Sequence, residues 1–370
     1  MLDATAAAEP TAADQLARPR LAAATISVHN EWDPLEAIIV GTAHGAQFPR
    51  YDRSFHATFY HDLPRDQVPS GPFPAQVLEE AEEDLDALAA LLADAGVQVQ
   101  RPRPTDCATS IRTPDWETDG LYNYCPRDLL LAVGDSVIEC PTPMRARYLE
   151  ARAYRHLMHA AVRAGSRWLS APRPELADAL YNLEDPSRPG LLEHEPVFDA
   201  ANILRLGRDL LYLRSNTGNA FGAQWLQATV GPDYRVHLCE DLYPHTHIDT
   251  TLVPLRPGLV LANPERVHAD NLPAPLKGWD LIYSPEMVDI GFSGAVARPC
   301  ASVWIGMNFL MLDPETALVE ERQLPLMRLL ERHRITPVPI RLRHARTLGG
   351  GAHCVTLDTR RRGTLESYVD

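Results

Sequence analysis

A thiol at Cys354 directly follows the run Gly349-Gly350-Gly351-Ala352-His353 near the C-terminal end of a 370-residue chain. Three glycines allow positive φ angles and leave no side chains to block an approaching ligand, so the thiol is placed for nucleophilic attack. Elsewhere the chain supplies an imidazole, His247 in "HTHID", and carboxylates at Asp128, Asp199 and Asp249. A Cys–His pair with a carboxylate behind the imidazole suits attack on an sp² carbon, because the His can accept and return protons. Further Asp residues beside the thiol favour a cation over an acyl group, since a guanidinium offers five N–H donors that match carboxylates in bidentate fashion. A pocket of this composition would hold and attack a guanidino or amidino carbon.

Each residue also has a plainer reading. His247 could be a solvated loop residue, or half of a His245-x-His247 metal pair, although no third ligand stands at diagnostic spacing. Asp199 in "PVFDAAN" could cap a turn, and Asp128 in "CPRDLL" could pair with Arg127 at the surface. The six cysteines include no C-x-x-C pair, so neither a zinc site nor a disulfide framework is indicated. Cys125, Cys140 and Cys239 lie in or beside apolar strands and read as small buried hydrophobes.

The elements that must gather these groups follow a repeated grammar of two strands, a helix and a strand. Leu78, Ala81, Leu85, Leu88 and Leu92 fall on one helical face, Gly96 stops the helix, and Val97-Gln98-Val99 alternates as a strand. The same ending recurs in "HLMHAAVRAGSRWLSAP", "FGAQWLQATVGPDYRVHLC" and "LPLMRLLERHRITPVPI", and more weakly in "NLPAPLKGWDLIYSP". Apolar hairpins precede four of these helices, turning at Gly134-Asp135, Gly207-Arg208, Arg256-Pro257-Gly258 and Asp313-Pro314. The first unit has only "EAIIVG" ahead of its helix, and "CVTLDTR" at the other end of the chain is the expected partner. Five ββαβ modules predict a closed, pseudo-symmetric, five-bladed α/β propeller, with a generic α/β sandwich as the alternative. Asp128, Asp199, His247 with Asp249, Ser302 and Cys354 each stand just ahead of a module's first strand. Around one axis, equivalent positions meet at one end.

Composition sets outer limits. A formal net charge of -14 argues against nucleic acid or anionic membrane as partners. No apolar run approaches the roughly 20 residues of a membrane span. Residues 1–23 are Ala-rich without a signal-peptide core and read as a disordered tail. Residues 24–370 then form a single catalytic domain, expected in the cytoplasm.

The chain resembles the amidinotransferases of the pentein-like α/β propeller class, and within them the inosamine-phosphate group of aminocyclitol antibiotic pathways. The resemblance is carried by "VHNEWDPLEAIIVGTA", "TPDWETDG", "CPRDLLLAVGDSVIE", "EPVFDAANILRLGRDLLYL", "THIDTTLVPLRPGLVLANPERV", "SVWIGMN" and "LGGGAHCVTLDTRRRG". It implies ping-pong transfer from L-arginine to an amine through an amidino-cysteine on Cys354. His247, oriented by Asp199, would protonate the departing ornithine amine and later deprotonate the acceptor. The guanidinium would lie between Asp128 and Asp249, with Arg127 in the same substrate-binding set. Arg266 would hold the arginine α-carboxylate, with Ser302 nearby. No metal or organic cofactor is implied, and a homodimer is.

Thr246 precedes His247 where glycine-using relatives typically carry Met, which points to an inosamine phosphate as acceptor, with glycine or another amine next. Arg50, Arg53 and Arg65 are candidate phosphate contacts, or ordinary solvated surface. Water as acceptor would make the chain a deiminase-like hydrolase. A third reading is a non-catalytic propeller that binds arginine.

Overall fold

A computed structural model describes residues 26–185 and 188–369. The expected tail at residues 1–23 lies outside the described residues. Five three-stranded sheets account for most of the strands, and all five are paired alike. In the second, Leu130–Val133 runs antiparallel to Ser136–Glu139, which runs parallel to Arg167–Ser170. The third, fourth and fifth start with Ile203–Leu206, Leu252–Arg256 and Leu310–Asp313, each antiparallel to the strand that follows it.

The first sheet is built from both ends of the chain. Leu35–Val40 pairs antiparallel with Thr356–Arg361 and parallel with Gln98–Gln100. The strand expected to complete the first module is therefore the segment that follows Cys354.

A burial gradient explains the strand chemistry. First strands such as Leu130–Val133 and Ile203–Leu206 are buried throughout, whereas third strands such as Arg167–Ser170 and Asp280–Tyr283 have exposed ends. Continuous apolar runs therefore fall on the inner strands, and polar residues can enter the outer ones. Helices cross from second to third strand at Ala75–Asp94, Arg155–Arg163, Ala220–Val230 and Leu324–Arg332. Ala75–Asp94 buries Ala81, Leu85, Leu88 and Leu92, and each Leu contributes about 1.5–3 kcal/mol of burial. Gly96 ends it with φ +83.

One expectation needs correction. The fourth crossover has only a 3-10 turn, Ala274–Leu276, because Pro273 and Pro275 remove backbone donors from so short a segment. The stretch at 42–74 carries ordered elements of its own. It contains a helix, Arg53–Phe59, N-capped by the Asp52 carboxylate, and a small ladder of Gln47–Phe48 with Gly71–Pro72.

A buried charged layer joins the inner strands. Arg205 binds Glu31 (2.7 and 2.6 Å), Asp358 (2.9 Å) and the Ala132 carbonyl (3.0 Å). Arg361 reaches Asp358 (2.6 Å) and the Met311 carbonyl (3.0 Å). Four of the five sheets thus contribute a strand to one ion network, in which each buried charge has opposite partners.

Candidate active site

The segments leading into the inner strands are short helical turns, and they carry the polar residues. Asp128 lies on Pro126–Leu129, Asp199 precedes Ala200–Asn202, and Ser302 caps Val303–Met307 by accepting from Trp304 N–H at 3.3 Å. Ile248 to Leu252 forms a turn closed by Leu252 N–H to the Ile248 carbonyl (3.0 Å). The equivalent turn before Thr356 is closed by Val355 N–H to the Gly351 carbonyl (3.0 Å), and Cys354 lies on it.

The glycine run is explained by contact as much as by conformation. Only Gly349 is left-handed, φ +83, at the end of Ala345–Leu348. Side chains at the next two positions would collide with their neighbours. A Cβ on Gly350 would stand 2.7 Å from Cys125 Sγ, and one on Gly351 would stand 2.6 Å from the Asn308 carbonyl oxygen. Asn308 in turn accepts from Cys354 N–H through Oδ1, at 2.9 Å. The loop is pressed onto Asn308, and this fixes the nucleophile's backbone.

Around the sulfur, Cys354 Sγ–H donates to Asp249 Oδ2 at 3.3 Å. Asp249 Oδ2 also accepts from His353 Nδ1 at 2.9 Å. Burial alone would raise the Asp249 carboxyl, but the hydrogen bond and charge of His353, with His247, hold it down at about 2. The Cys354 thiol is pushed well above its ordinary value by contact with Cys125, burial and the Asp249 carboxylate, against a smaller opposing effect of His247.

His247 lies between two carboxylates. Nε2 donates to Asp199 Oδ2 at 3.0 Å, and Nδ1 is 3.7 Å from Asp128 Oδ1. Burial works to lower its pKa, yet Asp128, Asp199 and the contact with Cys354 together raise it well above the ordinary value. Both shifts favour the protonated forms, a neutral thiol beside an imidazolium. Asp128 is held by Arg147 Nη1 through Oδ2, at 2.6 Å, while Oδ1 is buried with no hydrogen-bond partner among the described residues. A buried carboxylate oxygen left open beside a nucleophile suits an incoming N–H donor.

Cys354, His247 and Asp249 line a cleft of about 350 Å³, with Ser302, Thr250 and Cys300 on its wall. Phe59, Tyr60 and Leu63, from the segment around Arg53–Phe59, close another side. Asp128 and Asp199 stand behind His247 rather than on the wall.

Arg266 lies behind Thr250. Its Nη1 donates to Thr250 Oγ1 and Thr251 Oγ1, both at 3.0 Å, and its guanidinium carbon stacks 3.6 Å from the Tyr243 ring centre. Arg127 is not brought to the cleft. Its Nε donates to the carbonyls of His353 (2.8 Å) and Thr356 (3.0 Å), and Nη2 is 2.9 Å from Asp358. Arg127 therefore clamps the nucleophile turn from beneath, and the expected substrate contact gives way to a supporting one.

The expected arginines of the 50–71 segment are also engaged elsewhere. Arg50 pairs with Glu117 and Asp119 at 3.5 Å, Arg53 with Glu184 at 2.5 Å, and Arg65 stacks 4.2 Å over Tyr51. The loop at Arg112 to Gly120 forms a small ladder, Ile111–Arg112 with Glu117–Thr118, and does not line the cleft.

Asn308, His353, Arg147 and Arg298 were not singled out from sequence. Asn308 ends "SVWIGMN" and His353 adjoins Cys354, so for both a local signal existed. Arg147 and Arg298 reach the site only through tertiary packing.

Inner-strand turns bring a buried thiol, an imidazole and carboxylates together at one cleft, a set of groups suited to nucleophilic attack on a cationic carbon. No family model matches the chain. Inosamine-phosphate amidinotransferase 1 of Streptomyces glaucescens is 54% identical over 345 residues, 93% of this chain and 99% of the relative. L-arginine:L-lysine amidinotransferase of Pseudomonas savastanoi pv. phaseolicola is 39% identical, over 92% of this chain and 96% of that one. The solved inosamine-phosphate amidinotransferase of Streptomyces griseus superposes with a TM-score of 0.91 at 54% identity, covering 93% and 99% of the two chains. The chain belongs to the amidinotransferase family and is a transferase. No helix among the described residues is long and apolar enough to cross a membrane.

Proposed function

We propose that the protein transfers the amidino group of L-arginine to an amine through a covalent intermediate on Cys354, and that the acceptor is an inosamine phosphate such as scyllo-inosamine 4-phosphate. The observation that carries this reading is the set of groups around the sulfur: Asp249 at 3.3 Å, His247 in contact, and the open Oδ1 of Asp128 behind the imidazole. The five like-paired sheets are read as blades of one closed propeller, which gives these turns a common end.

The resting protonation state fits a cationic donor. The guanidinium, entering between Asp128 and Asp249, offsets their negative charge and stabilises a thiolate, so the thiol proton passes to bulk solvent as substrate arrives, and His247 keeps its own. The thiolate attacks the guanidino carbon, an S–C bond forms, and the C–N bond to the ornithine δ-nitrogen breaks. The His247 imidazolium gives its proton to that nitrogen. Neutral His247, held by Asp199, then takes a proton from the acceptor amine, whose nitrogen attacks the amidino carbon and expels the thiolate. Arg266 and Ser302 are assigned to the α-carboxylate of arginine. Thiol, imidazole and carboxylates supply every step.

The acceptor follows from likeness to the two Streptomyces proteins. The same reading places the enzyme in the cytoplasm as a homodimer, which sedimentation would test. Mass spectrometry of the protein mixed with arginine should show an amidino adduct on Cys354 and release of one ornithine. Ornithine release should turn over only with an amine acceptor, inosamine phosphate above glycine and lysine. Citrulline formed without an acceptor would mean hydrolysis instead, and no adduct would mean a binding protein. Cys354→Ala should lower turnover by roughly three orders of magnitude or more while arginine still binds.

A further inference from the structure

Arg298 is the one lysine or arginine among the residues that line the cleft, and no described residue bonds or pairs with it. Exposed and unpaired, its guanidinium is open to a ligand in the cleft. The cleft also carries Asp62 and Asp249, and the chain as a whole has a net charge of -14. Acidic neighbours were available to Arg50, Arg53 and Arg346, which are all paired.

The backbone that carries Arg298 is anchored on both sides. Two residues earlier, Val296 is 7% exposed and packs into the main core cluster. Ser293 N–H donates to Thr347 Oγ1 and Ala301 N–H to the Arg346 carbonyl, both at 3.1 Å. These partners belong to Ala345–Leu348, the helix that ends at Gly349 and leads to Cys354. Cys300 presses so closely on that turn that a Cβ at Gly349 would stand 2.8 Å from Cys300 Cβ. The Arg298 segment and the nucleophile loop are therefore packed as one unit, which places an exposed Arg298 at the wall of the cleft.

We propose that Arg298 is the specificity contact for an anionic acceptor, binding a phosphate monoester carried by the incoming amine. This rests on the amidinotransferase reading above. The carboxylates around Cys354 attract a guanidinium and repel an anion, so a phosphorylated amine can present its nitrogen to the sulfur only if its phosphate is held away from them. A guanidinium binds phosphate through two parallel N–H bonds and fixes orientation as well as position. The cleft then has two electrically distinct parts: an acidic one for the donor's cation and Arg298 for the acceptor's anion.

The test separates the two half-reactions. Adduct formation on Cys354 from arginine alone reports the underlying reading, and its absence in the wild type would remove that reading. With the adduct formed, KM is measured for inosamine phosphate and for the same amine without phosphate, in wild type, Arg298→Ala and Arg298→Lys. Arg298→Ala should raise KM for the phosphorylated amine by roughly 10- to 100-fold, the loss of one charge-assisted contact, and Arg298→Lys should recover part of it. KM for the unphosphorylated amine and the rate of adduct formation should not change. An unchanged KM for the phosphorylated amine would overturn the proposal and leave a solvated loop arginine. A raised KM for arginine, with acceptor discrimination intact, would also overturn it, because Arg298 would then hold the donor carboxylate.

Discussion

One oxygen of Asp249, Oδ2, accepts from both His353 Nδ1 at 2.9 Å and Cys354 Sγ at 3.3 Å. The residue beside the nucleophile thus sets the charge on the carboxylate that faces it. His353 is itself backed by Glu31 Oε2, 3.3 Å from its Nε2. A chain of polar contacts runs from the ion layer beneath the sheets to the sulfur.

His353→Leu should therefore release the Asp249 carboxyl upward from about 2 towards its ordinary value of 3.8. The acid limb of kcat/KM for arginine should rise by about one pH unit or more, with His353→Gln, which keeps a donor, moving it less. The stability that the depressed carboxyl contributes is complete above 3.8 and is lost as pH falls through about 2, so the leucine variant should lose part of its acid resistance. Superimposable pH profiles for wild type and His353→Leu would refute the link.

The Cys354 thiol, raised by Cys125, burial and Asp249, should alkylate slowly without substrate. A free cysteine is only a few per cent thiolate at pH 7, and Cys354 should be less. Its reaction with iodoacetamide, followed on the Cys354 peptide, should still be climbing above pH 9. A plateau below pH 8 would show a resting thiolate and contradict the proposed substrate-assisted ionisation.

Gly351→Ala forces a Cβ to within 2.6 Å of the Asn308 carbonyl oxygen and 2.9 Å of the oxygen that binds Cys354 N–H. Displacing the nucleophile by about 1 Å should lower kcat by roughly a hundredfold, and the overpacking should cost about 1–3 kcal/mol. Gly294→Ala, with nothing within 4 Å of its Cβ, should change neither. Urea denaturation and ornithine release report the two effects separately, and full activity in Gly351→Ala would rule out this role for the glycine.

Arg205 is 1% exposed and neutralises Glu31 and Asp358 together. Arg205→Ala would leave two buried carboxylates short of a partner and should destabilise the fold by about 3–5 kcal/mol. A loss under about 1 kcal/mol in equilibrium unfolding would mean that the remaining arginines, Arg127 and Arg361, suffice.

The module grammar and the residue types of the site are legible in the chain before any folding is known. Strand and helix periods, turn residues and the glycine run are local properties, and the local chain shows them. The pairing of Leu35–Val40 with Thr356–Arg361 could be expected because one module lacked a strand and the chain end supplied one. Local signals failed at Ala274–Leu276, where prolines override an apolar pattern, and at Arg127, which turns away under the nucleophile turn while its neighbour Asp128 stands beside His247. Charge pairing was decided only in three dimensions. Arg147 reaches Asp128 across 19 residues of sequence, Arg205 reaches Glu31 across 174, and Arg298 stays unpaired on the cleft wall. A guanidinium at the end of a flexible stem can serve any carboxylate that packing brings within reach. Which arginine holds the fold, and which is left free for a substrate, is therefore settled by the meeting of the inner strands and is not written in any one segment.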